Sequence, residues 1–522
     1  MLDILIKNGT VIDGKGTPGF VADVAVQNGR IEEIGGLAGE RAKAVIDATG
    51  RYVTPGFIDI TNHADVTAAL FRFPSLESLA LQGITTIIGG NCGTSLAPLS
   101  HPDVIHAIRK WSGEIVNVNW FSVGEFLAEV EQKKLALNFG TLVGHGTLRR
   151  GITNEALRPL SLEELTKFKF VLGEAMDEGA LGISANLAAA HERNASTEEM
   201  VDIVKVVGAR GGVYKSHLRH EGRELIPAVN EALRIGAEAE TPVSISHLKA
   251  IGRKAWPHMR QVVSMIDNAA RGGGRIIYDV SPYTRTGSQL HTLLPSWARE
   301  GGFHAMIERL KDPATRLNVI RELNFLTLHF DRIRIAEASD GISPGKTIAE
   351  IASRMGIDPN AAIIEILLAN RGRVSIIGKT LARKNIEIGI RGRNSAISSN
   401  GSAYSLENPE MANVPHPRSF GAFPHYLHRA VRDSGVLSWE EALRKITSLP
   451  GECMRIPRRG VVQKNFYADL VVLNPQTLQD RATYKNPWRA PVGIEHVLVN
   501  GVPIVTDGKI TSERPGQVIR KT

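Results

Sequence analysis

Apolar and polar positions fall into two textures along the chain. The first fifty or so residues read as β structure. Ile4-Leu5-Ile6-Lys7-Asn8-Gly9-Thr10-Val11-Ile12 has the pattern of a strand, an Asn-Gly turn and a second strand, and Val24-Ala25-Val26-Gln27-Asn28-Gly29-Arg30-Ile31 repeats it, so two hairpins are predicted. The C-terminal segment answers with Ala468–Leu473 and His496–Val505. The two ends therefore read as halves of one small β-sandwich module. Between them, short β-rich runs at Val53–Ile60, Ile84–Gly89, Phe139–Gly144, Leu181–Ala185, Val213–Ser216, Val243–Ser246, Ile276–Val280 and Ser395–Ser398 alternate with amphipathic stretches. The stretches include Leu162–Glu178, Thr197–Arg210, Glu224–Ile235 and Met259–Ala270, with helical spacing of their apolar positions. Such alternation predicts βα units and a parallel sheet, an α/β fold. Eight strands over about 350 residues suit a (β/α)8 TIM-like barrel, whose usual ~250 residues are often extended by insertions. The expected organisation is 1–54 for the N-terminal part of the β module, 55–455 for the barrel and 456–522 for the rest of the module. An insertion over about 285–390 carries its own helices, Thr347–Met355 and 359–369, and reads as a lid over the rim.

Composition narrows the classes. Of 522 residues 43% are apolar and 22% charged, values of a folded globular chain. The two cysteines, Cys92 and Cys453, are too few for a disulfide scaffold and fit a reducing compartment, so a cytoplasmic location is expected. No basic stretch leads into an apolar one at the N-terminus, and no apolar run reaches the ~18 residues of a membrane span. The net charge of +8 is spread in short, interrupted runs, such as Arg455 to Arg459, with no interleaved aromatics. Neither nucleic acid nor membrane is expected as a partner, and the diffuse positive field favours a small anionic substrate. Nothing in the pattern sets the oligomeric state.

In a barrel of this kind the C-terminal strand ends form the active site. There the sequence places Asp59-Ile60-Thr61-Asn62-His63, Gly89-Gly90-Asn91-Cys92-Gly93, Lys215-Ser216-His217, Ser246-His247-Leu248-Lys249 and Ser398-Ser399-Asn400-Gly401. Taken singly, Cys92 reads as a space-filling buried residue, and His217 or His247 as an ordinary hydrogen-bonded histidine. Three metal-competent side chains at three strand ends, with an open fourth position, instead suggest a catalytic zinc site.

Thr54-Pro55-Gly56-Phe57-Ile58-Asp59, the Ala468–Val472 run and the split β module resemble the amidohydrolase superfamily. More narrowly, Gly89-Gly90-Asn91-Cys92-Gly93, Leu142-Val143-Gly144-His145-Gly146, Ser246-His247-Leu248-Lys249, Pro282-Tyr283-Thr284, Leu294-Pro295-Ser296-Trp297-Ala298 and the run from His416-Pro417-Arg418 to Pro424 resemble the N-acyl-D-amino-acid deacylase (D-aminoacylase) family, essentially from end to end. The resemblance implies one zinc per chain on Cys92, His217 and His247. It also implies a substrate carboxylate held by Tyr283 and Arg418, where a planar guanidinium suits bidentate recognition. The implied reaction is hydrolysis of an N-acyl-D-amino acid or a related carboxylate-bearing amide.

Two positions depart from the family. The first histidine of its His-x-His is Thr61 here, leaving His63, and the aspartate of its strand-eight Ser-Asp-Gly is Asn400. Both changes strike one second-metal position. An amide accepts no proton near neutral pH, and losing positioned acid–base assistance removes about 10²–10⁴ of rate. His63, Asn400 and Lys249 are the residues expected around the reacting atoms. His63 reads equally as base and as a further metal ligand, with Lys249, His220 and Asp65 behind it as bases. Lys215 and Lys249 otherwise read as electrostatic stabilisers or rim charges. Two alternatives follow: a catalytically degenerate member acting by binding, or a same-scaffold enzyme for cyclic amide hydrolysis or acyl transfer. Gly341-Ile342-Ser343-Pro344-Gly345 matches a nucleophile elbow, but Pro344 has no N–H for an oxyanion, so a serine hydrolase is excluded.

Overall fold

The structure is a computed structural model that describes residues 1–100, 118–295, 297–324, 328–341, 343–407, 409 and 413–521. Ser296 and Ile342, each within a sequence motif, lie outside the described residues.

The predicted run Val53–Ile60 divides at Gly56, where a β-carbon would sit 2.2 Å from Thr85 Oγ1. Tyr52–Pro55 pairs antiparallel with Leu470–Leu473, and only Phe57–Asp59 joins the parallel strands. The remaining seven predicted strands are observed, all paired in parallel. Phe57–Asp59, Ile84–Gly89 and Asn138–Thr141 form one sheet. Val143–Gly144, Gly182–Asn186, Val213–His217, Val243–Ile245, Ile276–Val280 and Ser395–Ile397 form a second, hydrogen-bonded in that sequence order. The third strand thus serves both sheets, interrupted at Leu142. At the other margin the eighth strand meets the first, where Asn400 N donates to Thr61 O (2.9 Å) and His63 N to Gly401 O (2.8 Å).

An apolar cluster takes Ile58, Ile88, Leu142, Leu181, Val213, Ile277 and Ala396 from strands or their first residues, and adds Leu449, Met454, Ile456 and Ile519. On the outside, helices Leu162–Asp177, Thr197–Ala209, Leu225–Glu238, His258–Arg271 and Arg383–Arg391 each pack on the next. Two start where local chemistry dictates: Ser161 and Ser196 accept the N–H of residue N3, Glu164 and Glu199.

The termini share a nine-stranded sheet, joined where Tyr52–Pro55 lies between Leu470–Leu473 and the first strand. The hairpin predicted at Asn8-Gly9 is absent. Leu2–Val11 is one strand that runs through this dipeptide with a bulge, Ile6 opposing Val24 and Gly9 opposing Ala22. Asn8 adopts φ 61° and its N–H is taken by the Asp23 carboxylate at 2.9 Å, so the irregularity is absorbed locally and the chain does not reverse. The hairpin predicted at Asn28-Gly29 forms, between Phe20–Gln27 and Arg30–Gly35. Along its other edge Leu2–Val11 pairs first with Ala42–Asp47 and then with Tyr52–Pro55.

Residues from 285 onward build a separate three-stranded antiparallel sheet, Arg285–Gln289, Ser375–Lys379 and Ile333–Glu337 in spatial order, with its own core around Leu290, Met306, Leu323, Ile335 and Ile364. That unit ends at Lys379, short of the predicted 390, because Arg383–Arg391 packs on His258–Arg271 beside the parallel strands. Among the described residues no helix is long and apolar enough to cross a membrane.

Candidate metal and substrate site

Strand directions deliver the predicted residues to one place. Cys92 Sγ and a ring nitrogen each from His217 and His247 lie within 4.8 Å of one another, the only such His/Cys/Asp/Glu cluster among the described residues. Sγ is 3.3 Å from His247 Nε2, and the two imidazoles meet edge to face with centroids 4.5 Å apart. His217 Nδ1 is buried without a hydrogen-bond partner, which a cation at the cluster would supply. A soft thiolate with two imidazoles is the donor chemistry of a zinc-type site, so these residues fit such an ion. Burial opposes ionisation of Cys92, but the charge of His247 and hydrogen bonds from His217, His247 and His63 outweigh it and hold the thiol well below its usual value.

The backbone is bent to achieve this. Cys92 (φ 54°), His247 (φ 36°) and Asn400 (φ 49°) all adopt left-handed conformations directly after their strands. Non-glycine residues there cost about 1–3 kcal/mol each and concentrate at functional sites. Around Cys92 the loop is pinned: Asp65 Oδ2 accepts the Gly90 N–H at 2.6 Å, and Asn91 Nδ2 donates to Ile88 O at 2.7 Å.

Two carboxylates hold the cluster from behind, and the sequence reading named neither. Glu221 lies 3.3 Å from His247 Nδ1 and 3.7 Å from His217 Nε2, and it pairs with Lys249. Although burial opposes it, Lys249 and the two histidines hold its carboxyl well below the usual range. Asp279, fully buried in the seventh strand, accepts from Thr61 Oγ1 (2.8 Å), Lys215 Nζ (2.7 Å), the His247 backbone N–H (2.9 Å) and Ser398 Oγ. It thus ties the ends of strands one, five, six and eight, and Lys215 is chief among the groups that keep it ionised despite burial. The available hint was a charge inside an apolar strand, Ile276-Ile277-Tyr278-Asp279-Val280; for Glu221 it was the His217-x-x-x-Glu spacing.

Other predicted residues fall as follows. His63 is beside the cluster, its Nε2 2.9 Å from Asn400 Oδ1. Lys249 turns to Glu221 and lies 2.8 Å from His247 Nδ1, so it braces that imidazole from behind. Lys215 is completely buried, which rules out a rim charge. His220 is exposed, and Asp65 serves the Gly90 turn. Ser343 of the Gly-x-Ser-x-Gly motif is held by Asp340 in a local turn, Oγ to Oδ2 2.7 Å.

On the opposite side, Arg418 opens the helix Arg418–Leu427. Burial lowers its guanidinium from the usual value while the charge of Cys92 is among those supporting it, so arginine and thiolate sense one another. Tyr283 is buried, stacked on His425 at 4.5 Å, and its hydroxyl has no partner.

A parallel α/β scaffold carrying a thiol and two imidazoles at its strand ends defines a class of metal-competent catalysts. Within that class the chain belongs to the amidohydrolase family, whose model matches residues 44–505. It is 30% identical over 520 residues to a D-aminoacylase of Alcaligenes xylosoxydans xylosoxydans, covering 100% of this chain and 98% of that protein. It is also 30% identical to an N-acyl-D-glutamate deacylase of the same organism, over 100% of this chain and 97% of the relative. A crystal structure of the N-acyl-D-glutamate deacylase of Bordetella bronchiseptica, complexed with zinc and a phosphonate mimic of the tetrahedral intermediate, superposes with a TM-score of 0.84 at 29% identity over 99% of both chains.

Proposed function

We propose that this protein is a zinc-dependent hydrolase of N-acyl-D-amino acids, acting from the cytoplasm on a small carboxylate-bearing amide. One observation carries the reading: the Cys92-His217-His247 cluster stands across from Arg418, which senses the charge of Cys92, and from the buried Tyr283 hydroxyl, which has no hydrogen-bond partner. The eight parallel segments close as a (β/α)8 barrel around the Ile58–Ala396 cluster. The terminal sheet folds as a sandwich over the shared core of Ile4, Val24, Val53 and Val472. Segments 1–54, 55–455 and 456–522 are the units, and the region from 285 covers the rim.

Cys92, His217 and His247 would hold one zinc ion, with His63 beside this set of residues. Such a cation supplies Lewis acidity to the scissile carbonyl and acidifies water. The protein's own groups do the rest. Arg418 and Tyr283 grip the substrate carboxylate and fix the amide over the cluster. Asn400 Oδ1 only accepts, so the facing His63 Nε2 carries the hydrogen at this contact. His63, beside the cluster and held by Asn400, is the group assigned to take the proton of the attacking water and return it to the leaving nitrogen. Asn400 acts as its positioning residue, in place of the carboxylate of the resembling family.

Metal analysis with a panel of N-acyl-D-amino acids, their L-isomers and cyclic imides tests the proposal. About one zinc per chain and D-selective deacylation are expected, with Cys92→Ala losing both; full activity without metal overturns the reading. A second reading, binding without catalysis, draws on Asn400 itself. If only the Thr61→His, Asn400→Asp double variant turns over, that reading prevails.

A further inference from the structure

Arg285 starts the first strand of the separate antiparallel sheet, two residues after Tyr283, and the mechanism above does not use it. Its guanidinium lies over the Tyr484 ring, 4.7 Å from the centroid, and among the described residues it has no ion-pair partner. Arg418 has none either. The two are close: Gly287 shares a strand face with Arg285, and a β-carbon on Gly287 would stand 3.0 Å from Arg418 Nη2. His416 joins them through the backbone, donating from Nε2 to Arg285 O (3.1 Å) and accepting from Arg418 N at Nδ1 (3.1 Å). That pair of bonds fixes His416 as a neutral imidazole. The neighbouring acids are already engaged, Asp480 with His425 Nδ1 (2.9 Å) and Glu337 with the Tyr404 hydroxyl (2.7 Å).

Two half-buried guanidiniums thus share a region where, among the described residues, neither has an ion-pair partner and Glu337, held by Tyr404, supports Arg418 only from a distance. Like charges out of water repel strongly unless an anion joins them. An amino acid's own carboxylate neutralises only one. Both arginines bear on Tyr484, and the backbone positions 285 and 287 beside them stand about 6–7 Å apart, within reach of a four- or five-carbon dicarboxylate with one guanidinium at each end. We infer that Arg285 is the contact for a second substrate anion, so that the preferred substrates are N-acyl amino acids with an acidic side chain. This rests on the deacylase reading and specifies its substrate class.

The test compares kcat/KM for N-acetyl-D-glutamate and N-acetyl-D-aspartate with N-acetyl-D-leucine and N-acetyl-D-methionine, using zinc-loaded wild type, Arg285→Met and Arg285→Lys. Wild type is expected to prefer the acidic pair. Arg285→Met is expected to lower the acidic-to-neutral ratio by about 100-fold, chiefly through KM, as loss of a desolvated charge contact does; Arg285→Lys recovers part of it. A wild type that prefers neutral side chains, or an Arg285→Met ratio equal to wild type, overturns the inference while deacylation of the neutral pair preserves the function. If no substrate turns over, the deacylase reading fails instead. Calorimetric Kd values for N-acetyl-D-glutamate and N-acetyl-D-leucine then decide the anion contact alone, equal discrimination by wild type and Arg285→Met refuting it.

Discussion

The two sides of the site treat charge in opposite ways. Around the metal cluster buried charges are paired: Lys215 faces Asp279, and Glu221 faces Lys249 and both histidines. On the proposed substrate side Arg418 and Arg285 form no ion pair among the described residues, and the Tyr283 hydroxyl has no hydrogen-bond partner. The first arrangement is complete within the chain and serves to aim ligands. The second is complete only when an anion arrives, so its unpaid electrostatics are available as binding energy.

Breaking the paired side should cost folding as well as chemistry. Asp279→Asn leaves Lys215 buried without a counter-charge and releases four strand ends, and a loss of about 3–5 kcal/mol is expected in denaturant unfolding. The double variant Lys215→Met, Asp279→Asn should recover much of that stability without restoring activity; equal stability of the single variant and wild type would contradict the pairing argument. Breaking the unpaired side should spare the fold. Arg418→Met is expected to lower kcat/KM by about 10²–10³ while Tm holds or rises, since a guanidinium without a partner is removed; kinetics and a thermal melt check both halves. Glu221→Gln, behind the histidines, should weaken zinc affinity about 10–100-fold in competition with a chelator.

The smallest effect sharpens the contrast away from the site. Lys445 is buried against Gly392 O and Ser395 Oγ, and burial, only partly offset by Glu441, lowers it to about 8. Between that pH and its ordinary 10.5 the unfolded chain keeps a proton that the folded one has released, so stability rises with pH across this window. Lys445→Met should flatten that rise in pH-dependent melts.

Much of this was legible in the residues. Parallel strands on both faces of which helices and core pack read as continuous apolar runs, so seven of eight were located nearly to the residue, and Cys92, His217 and His247 followed from their strand ends. The failures were of a different kind. Asn8-Gly9 carries a strong turn signal that a distant carboxylate, Asp23, converts into a bulge. Asp279, Glu221 and Arg285 matter mostly through partners on other elements or through the lack of them, from Glu221 with Lys249 (|i−j| = 28) to Asp279 with Thr61 (|i−j| = 218) and the ring contact of Arg285 with Tyr484. Pairing of that range leaves no periodicity to read. Lys249 and Lys215 were recognised as charges near the site, but whether a lysine looks outward or clamps a carboxylate depends on such partners.

The left-handed turns at Cys92, His247 and Asn400 set a trade between durability and use. Glycine would relax each of these corners at once, so selection for a sturdier molecule alone would drift toward erasing the very side chains that make it useful. Their retention in a conformation that favours a residue with no side chain marks where thermostabilising design should leave the sequence untouched.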